Sequence, residues 1–335
     1  SSVNKDFNSL KNNKILSSLS KDYKYSYNKK ILQKYKNSQN FNLVGMGGSI
    51  LGAKAIYQFL NHKIKKNFIF IDNLKHKYKF SKTKNINIII SKSGNTIETI
   101  ANSNLLISGT KNIFITEKKT NYLRNLAYEL KAEIIEHKNY IGGRYSVLSE
   151  VGMLPASLFG LEEKKFKQFN NLKKNKNFVS SLIQNTANVL FFLKKKRFNS
   201  IIINFDENSH DFFRWYQQLV AESLGKKGVG IYPCISKMPM DNHSLMQLYL
   251  DGPKRSFFTF FNFFEKQSIK LDSKHILQSH NYLKKKNVSE ILLSQKLATE
   301  RVFKNKNIPF RSFEIFKKNE ETLGELFTFF ILETI

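Results

Sequence analysis

Short apolar runs rich in β-branched residues alternate with longer amphipathic stretches through the first half of the chain. The runs predict strands at 41–45, 67–71, 86–90 and 111–116. The stretches between them have helical spacing and predict helices at 50–60, from 95 onward and at 119–130. Strands that are apolar on both faces and alternate with helices are typical of a parallel sheet with right-handed crossovers.

The second half repeats this alternation after a lysine-rich stretch. Its predicted elements are helices at 179–194, 209–224, 289–303 and from 319, with strands at 200–205, 255–261 and 309–316. The predicted fold class is therefore α/β, with two parallel β-sheets that are each flanked by helices. We expect an N-terminal helical segment at 1–40, a first domain at 41–160, a helical connector at 161–197 and a second domain at 198–335.

A cluster of small polar residues ends the most apolar predicted strand. Ser91, Lys92, Ser93 and Thr96 follow the run at 86–90 and lead into the next predicted helix. Hydroxyl groups, an ammonium group and the free N–H groups of a helix N-terminus all bind phosphate, and the glycine between them would let the backbone approach a ligand. The same residues could instead only cap the helix, as Ser, Asn and Thr often do.

A glycine-rich turn follows the first predicted strand. Its glycines, Gly45, Gly47 and Gly48, allow a tight strand-to-helix turn, and Ser49 stands where a hydroxyl could meet a ligand oxygen. A dinucleotide fingerprint would need a glycine in place of Ile50, so a nucleotide site is the weaker interpretation. This turn and the polar cluster both lie at the carboxyl edge of the predicted sheet, and together they favour a phosphate site.

Four further side chains could carry chemistry, and each also has an ordinary structural interpretation. Arg144 follows two glycines before a predicted helix at 147–159, and it could anchor that helix or face developing negative charge. Gln218 and Glu222 are spaced to share one helix face, and Glu222 could be a surface residue or line a cavity. His243 lies at the predicted start of a helix, where it could cap, pack or catalyse.

Composition limits the class of protein. The 335 residues are 41% hydrophobic, enough to bury a large core in about two domains. The net charge of +29 comes mainly from lysines spread along the chain, so it does not require a nucleic-acid or membrane partner. The single Cys234 indicates no internal disulfide framework and no metal cluster, and no signal peptide or membrane-spanning run is visible, so we expect a cytoplasmic protein.

Five segments, in this order, resemble the glucose-6-phosphate isomerase family. They are GMGGSILG, SKSGNTIET, GGRYS, WYQQLVAESLGKKG and DNHSLMQLYLDGP, and the resemblance extends from residue 41 to the end. The resemblance implies two sugar-isomerase (SIS-type) domains, each a parallel sheet flanked by helices. It also implies reversible conversion of D-glucose 6-phosphate to D-fructose 6-phosphate.

The resemblance implies a role for each candidate residue. Glu222 resembles the base that moves a proton between C2 and C1 of the open-chain sugar, Arg144 the group that stabilises the enediolate, and Gln218 a substrate contact. His243 resembles a histidine that helps to open the sugar ring and is donated by the neighbouring subunit, which implies a homodimer. The implied substrate- and phosphate-binding residues are Gly48, Ser49, Ser91, Lys92, Ser93, Thr96 and Gly143. The resemblance implies no metal and no other cofactor.

One part of the family pattern lies beyond this chain. The family has a lysine segment after the LGELFTFF helix, and this lysine works with the histidine in ring opening. Because the chain begins at Ser1 without Met and ends at Ile335 within an apolar helical pattern, we expect it to be a fragment of an active enzyme.

Three rival interpretations remain at this point. Another aldose–ketose isomerase of the same domain type, including one that also accepts mannose 6-phosphate, would share these motifs. A sugar-phosphate sensor would keep the binding loops but would not need Glu222 and Arg144. A nucleic-acid-binding protein would need clustered arginines and stacking aromatic residues on one face, and the sequence shows neither.

Overall fold

A five-stranded parallel sheet organises the first half of the chain. The computed structural model describes residues 13–77, 85–107 and 110–335. The strands run in the order β2-β1-β3-β4-β5 and are β1 (Asn40–Gly45), β2 (Asn67–Ile71), β3 (Ile86–Ile90), β4 (Lys111–Thr116) and β5 (Glu133–Glu136). The four strands predicted here are confirmed. Sequence analysis does not predict β5, because its four residues have a glutamate at either end.

Buried asparagines fix the register of the central strands. Asn42, Asn87 and Asn112 lie side by side on β1, β3 and β4. Asn42 Nδ2 donates to Asn87 Oδ1, and Asn87 Nδ2 donates to Asn112 Oδ1, both at 2.8 Å. A shift in register would leave buried amides unpaired, at a cost of about 1–3 kcal/mol for each group. The ladder therefore sets the relative height of the strands whose carboxyl ends form the candidate site.

Helices cover both faces of this sheet. They are α1 (Lys29–Tyr35), α2 (Leu51–Phe59), α3 (Ile97–Asn104), α4 (Tyr122–Glu129) and α5 (Glu150–Phe159). Helices α2 and α5 pack on one face, and α3 and α4 pack on the other. Helix α4 begins later than predicted because Asn121 is its N-cap and accepts from Arg124 N. The helix predicted at 147–159 is interrupted, since a 3₁₀ turn at Gly143–Leu148 ends at Ser149, the N-cap of α5.

The expected N-terminal segment lies partly outside the described residues, because residues 1–12 are not among them. Its described part contains a 3₁₀ turn at Lys14–Leu19, followed by α1. This part packs its apolar residues, including Leu16 and Leu19, into the main core.

A four-stranded parallel sheet organises the second half. Its strands run in the order β7-β6-β8-β9 and are β6 (Asn199–Asn204), β7 (Tyr232–Lys237), β8 (Ser256–Phe263) and β9 (Phe310–Ile315). Three of them are predicted. Sequence analysis treats the stretch before Pro233 as a turn and does not predict β7. Proline is tolerated there because β7 is an edge strand.

The helices of the second half complete the α/β fold. They are α6 (Phe169–Leu172), α7 (Lys176–Lys194), α8 (His210–Leu224), α9 (Asp241–Ser244), α10 (Met246–Asp251), α11 (Val288–Asn305) and α12 (Glu320–Thr334). The four long helices of this set, α7, α8, α11 and α12, agree with the predicted positions. The predicted fold class, α/β with two parallel sheets flanked by helices, is confirmed.

Helix α8 lies between the two halves of the molecule. It packs along α2 and also contacts α12. On its buried face, the rings of Phe212 and Trp215 contact Phe327, with centroids 5.3 and 4.7 Å apart. Helix α8 also touches the glycine-rich turn after β1. Polar residues on α8 are therefore brought close to the carboxyl edge of the first sheet.

Candidate active site

A cavity of about 290 Å³ lies at the carboxyl edge of the first sheet, where the loops after β1, β3 and β4 meet α8. Nine of the predicted site residues line it. They are Gly48, Ser49, Ser91, Lys92, Ser93, Thr96, Gly143, Gln218 and Glu222. Residues far apart in sequence thus converge as the parallel sheet predicts.

Hydroxyl groups and backbone amides line one end of the cavity. Ser91 Oγ and Thr96 Oγ1 are 3.0 Å apart, and Gly94 N donates to Ser91 Oγ at 3.2 Å. Thr96 is the N-cap of α3, and within the described part of the chain its side chain makes no capping hydrogen bond. Backbone N–H groups of the first turn of α3 therefore remain available to an anion, with the positive end of the helix dipole behind them.

Gly94 is required by both conformation and space. Its φ is +69°, and a Cβ added there would lie 1.8 Å from Asn121 Oδ1. The N–H of Leu123 donates to Gly94 O at 3.0 Å, and that of Tyr122 donates to Asn95 Oδ1 at 3.0 Å. These contacts fasten the Ser91–Thr96 loop to the N-terminus of α4.

Lys92 is held in place at the same end of the cavity. Its Nζ donates to Asn139 O at 2.7 Å and lies 3.6 Å from Glu117 Oε1. Glu117 Oε2 lies 3.1 Å from Lys119 Nζ, and both of these residues also line the cavity. Sequence analysis does not single out Glu117 or Lys119, because a charged cluster after a strand is typical of solvated loops. Their place directly after β4, at the edge shared with the other loops, is the signal that could have found them.

Two backbone turns meet beside Ser49. A Cβ added to Gly48 would lie 2.3 Å from Gly143 C, so only glycine allows these two segments of the backbone to approach this closely. Ser146 Oγ donates to Gly143 O at 2.7 Å and supports the second turn. This approach places the GGRYS segment, which carries Arg144, at the cavity.

Glu222 lines the cavity, and Arg144, which is not one of the lining residues, is hydrogen-bonded to it. Arg144 Nη1 donates to Glu222 Oε1 at 2.8 Å, and Gln218 Nε2 donates to Glu222 Oε2 at 3.0 Å. The Glu222 side chain is 50% exposed, so the carboxylate is accessible. One helix turn separates Gln218 from Glu222, which agrees with the helix face predicted from their spacing.

Neighbouring side chains orient the Arg144 guanidinium. Its Nε donates to Ser223 Oγ at 2.7 Å, and Ser223 Oγ lies 2.8 Å from Tyr145 Oη. The guanidinium also lies over the Tyr145 ring, 4.6 Å from its centroid. These contacts hold the Arg144 guanidinium with its Nη1 directed at the Glu222 carboxylate.

His243 lies apart from this cavity. It is exposed in α9, and its N–H donates to Met240 O at 3.1 Å. The neighbouring Asp241 is buried and accepts from Ser236 Oγ at 3.0 Å, which anchors α9 to β7. The histidine of the same chain is thus the one predicted catalytic side chain that the described structure leaves outside the site.

The described residues were also compared with the requirements of a membrane-spanning helix and of a metal site. Among residues 13–77, 85–107 and 110–335, no helix is long and apolar enough to cross a membrane. Over the same ranges, no group of three or more His, Cys, Asp or Glu side chains is placed to hold a metal ion.

The two helix-flanked parallel sheets and the cavity at a sheet edge define a two-domain α/β protein of the sugar-isomerase class. A solved glucose-6-phosphate isomerase from Chlamydia trachomatis has this fold, with a TM-score of 0.71 at 17% identity over 91% of this chain and 66% of that chain. The profile of the phosphoglucose isomerase family matches residues 31–300. The chain belongs to the phosphoglucose isomerase family.

Sequence relatives agree with this assignment. A glucose-6-phosphate isomerase from Methanocaldococcus jannaschii is 32% identical over 319 residues, covering 88% of this chain and 78% of the relative. One from Mesomycoplasma hyopneumoniae is 34% identical over 330 residues, covering 88% of this chain and 76% of the relative. The predicted family, fold class and class of enzyme, an isomerase, are confirmed, and family membership supports aldose–ketose isomerisation of a sugar phosphate.

Proposed function

We propose that this protein interconverts D-glucose 6-phosphate and D-fructose 6-phosphate through an enediol(ate), as a step of glycolysis and gluconeogenesis. One observation carries the proposal. A cradle of hydroxyl, ammonium and backbone N–H groups lines the same cavity as Glu222, which is hydrogen-bonded to Arg144. A sugar phosphate needs these two kinds of contact, one for its anionic end and one for its reacting carbons.

The phosphate end supports binding of the substrate's phosphate group. The proposed contacts are the hydroxyls of Ser49, Ser91, Ser93 and Thr96, the Lys92 ammonium and the backbone near Gly48 and Gly143. Charge-assisted hydrogen bonds to phosphate are about twice as strong as neutral ones. Binding energy from this end would hold the sugar carbons against Glu222.

The Arg144–Glu222 pair supports proton transfer. In the proposed reaction, a Glu222 oxygen takes the proton from C2 of the open-chain aldose, and the C2–H electron pair forms the C1–C2 double bond of the enediolate. The electron pair of the C1 carbonyl moves to O1 as the enediolate forms. The proton of the C2 hydroxyl then passes to O1, Glu222 returns its proton to C1, and the oxygen on C2 becomes the ketose carbonyl. Arg144 stabilises the negative charge that develops on oxygen, and Gln218 positions the carboxylate and contacts the sugar. Electrons and protons balance within the sugar, so the step requires no metal or redox cofactor.

His243 enters this proposal through a second subunit. We include a homodimer in which the partner copy donates this histidine to assist ring opening. Its exposure, and its position outside the cavity of its own chain, support that arrangement. We place the reaction in the cytoplasm, which agrees with the single Cys234.

The direct test is conversion of fructose 6-phosphate to glucose 6-phosphate, read through a coupled dehydrogenase. Because Glu222→Gln keeps the side-chain shape but removes the base, we expect kcat to fall by about 10²- to 10⁴-fold. Glu129→Gln, an equal change at an exposed position on α4, should leave kcat unchanged.

Two results would contradict the proposal. Retention of full activity by Glu222→Gln would remove this residue from the mechanism. A folded protein that is extended past Ile335 to include the lysine segment, and that binds both sugar phosphates but converts neither, would instead be a sensor. Running mannose 6-phosphate in the same assay decides whether a broader aldose–ketose isomerase is the better description.

A further inference from the structure

Two charged residues of the cavity have no role in the mechanism above. Glu117 directly follows β4, and Lys119 lies two residues further on. Both line the cavity together with Lys92. Any phosphate placed among the serine and threonine hydroxyls would therefore lie close to three charged side chains.

Glu117 links the two lysines. Its Oε1 lies 3.6 Å from Lys92 Nζ, and its Oε2 lies 3.1 Å from Lys119 Nζ. Its backbone N–H donates to Lys92 O at 3.1 Å, which fixes the carboxylate relative to the loop after β3. The Glu117 side chain is 12% exposed, whereas the Lys119 side chain is 67% exposed. A largely buried carboxylate thus pairs with an exposed ammonium group that lines the cavity.

The charge balance shows why the second lysine is needed. The phosphate of a sugar phosphate carries a charge of about −1.5 to −2 at neutral pH, as a phosphorylated side chain does. Lys92 and Glu117 together contribute no net charge, so Glu117 offsets the attraction that Lys92 alone would exert. Adding Lys119 gives this group of three side chains a net charge of +1. The net positive charge of these three side chains therefore depends on Lys119.

We propose that Lys119 is a second cation of the phosphate site, and that Glu117 is the positioning residue that directs both ammonium groups toward the phosphate. This inference rests on the proposed function, because it assigns the charged end of the same cavity. Bound phosphate competes with Glu117 for the exposed Lys119 ammonium, while Lys92 stays fixed by Asn139 O. Both residues act on substrate binding and not on the reacting carbons.

The first experiment compares Lys119→Met with Lys118→Met. Lys118 is exposed and lies outside the residues that line the cavity, so its substitution makes the same change in charge one position away. We expect Lys119→Met to raise KM for fructose 6-phosphate by about tenfold or more, since a hydrogen bond to a charged group is lost. Its kcat should stay within about twofold, because the contacts of Lys119 are to Glu117 and those of Glu222 are to Arg144 and Gln218. The inhibition constant of inorganic phosphate should rise in parallel.

The second experiment tests the role of Glu117 with the isosteric variant Glu117→Gln. If Glu117 positions Lys119, Lys119→Met should raise KM much less in the Glu117→Gln background than in the original chain. The salt dependence of KM should also be weaker in Lys119→Met than in Lys118→Met, because one charge fewer attracts the phosphate.

These outcomes are decisive in either direction. Equal KM values for Lys119→Met and Lys118→Met would overturn the assignment of Lys119. An equal effect of Lys119→Met in both backgrounds would overturn the positioning role of Glu117. If a folded chain extended past Ile335 converts no sugar phosphate, the proposed function fails, and calorimetric binding of inorganic phosphate to the same variants then tests Lys119 by itself.

Discussion

Single residues in this structure serve the loop geometry as much as the chemistry. The Ser91–Thr96 loop approaches a ligand position only because Gly94 takes a left-handed conformation against Asn121. Asn121 in turn caps α4 by accepting from Arg124 N at 2.9 Å. One glycine therefore couples the phosphate end of the cavity to the start of a helix.

Gly94→Ala should disturb the Ser91–Thr96 loop more than backbone strain at a positive φ would by itself. The new Cβ would overlap Asn121 Oδ1, so the cap or the loop must move, and we expect kcat/KM for fructose 6-phosphate to fall by at least about tenfold. Gly160→Ala is the control, because Gly160 also has a positive φ, of +95°, and a Cβ added there would have no described atom within 4 Å. That control should lose only about 1–2 kcal/mol of unfolding free energy and keep its activity. Equal activity of the two variants would contradict the coupling.

At the scale of elements, sequence pattern predicts the apolar strands well and the mixed ones poorly. Strand β3 has five buried residues in five, so its apolar run identifies it. Strands β5 and β7 lie at sheet edges and combine apolar with charged residues or proline, so their formation depends on the neighbouring strand. The same limit applies to the site. The small polar residues that follow β1 and β3 are predicted, whereas Glu117 and Lys119 follow β4 as charged residues and are not distinguished from a solvated loop.

A buried histidine directly follows the edge strand β5, and its titration should affect stability. The backbone N–H of His137 donates to Thr116 O at 2.8 Å, at the end of β4. Burial lowers the pKa of His137 to about 4, and nearby Lys92 lowers it further, while a hydrogen bond to the Lys138 backbone and the charge of Glu117 oppose the shift. Below its ordinary pKa of about 6.5, the unfolded chain therefore binds a proton that the folded chain does not.

The unfolding free energy should consequently fall as the pH is lowered from about 6.5 to about 4, with His137 contributing at most about 3 kcal/mol to the loss. Denaturant titrations of the original chain and of His137→Gln across this range measure that contribution as a difference. We expect His137→Gln to lose less stability on acidification, since its side chain does not titrate. Parallel pH profiles for the two proteins would show that His137 does not carry the effect.

At the scale of the whole molecule, helix α8 packs between the two halves and connects the two sheets. Helix α8 buries Phe212 and Trp215 in the core common to both halves and presents Gln218 and Glu222 to loops of the first sheet. The proposed base and the proposed phosphate cradle therefore belong to different halves of the chain, and their separation is set by core packing. His243 lies on α9, beside the edge strand β7, where it is exposed and outside the cavity of its own chain.

If each active site of a homodimer combines residues of both subunits, two inactive variants should restore activity when they are mixed. A site formed within one chain would show no such recovery. In a twofold dimer of Glu222→Gln with His243→Ala, one site carries both substitutions, and the other combines an intact Glu222 with an intact His243 from the partner copy. Each variant alone should convert cyclic fructose 6-phosphate poorly. Co-refolded at equal amounts, they should recover about one quarter of the original activity, since half of the dimers are mixed and each mixed dimer has one complete site.

Absence of recovery, when size measurements show that mixed dimers form, would assign the histidine to a role within its own chain. Recovery would establish that the active site spans two subunits and explain why an exposed histidine lies outside the cavity described here.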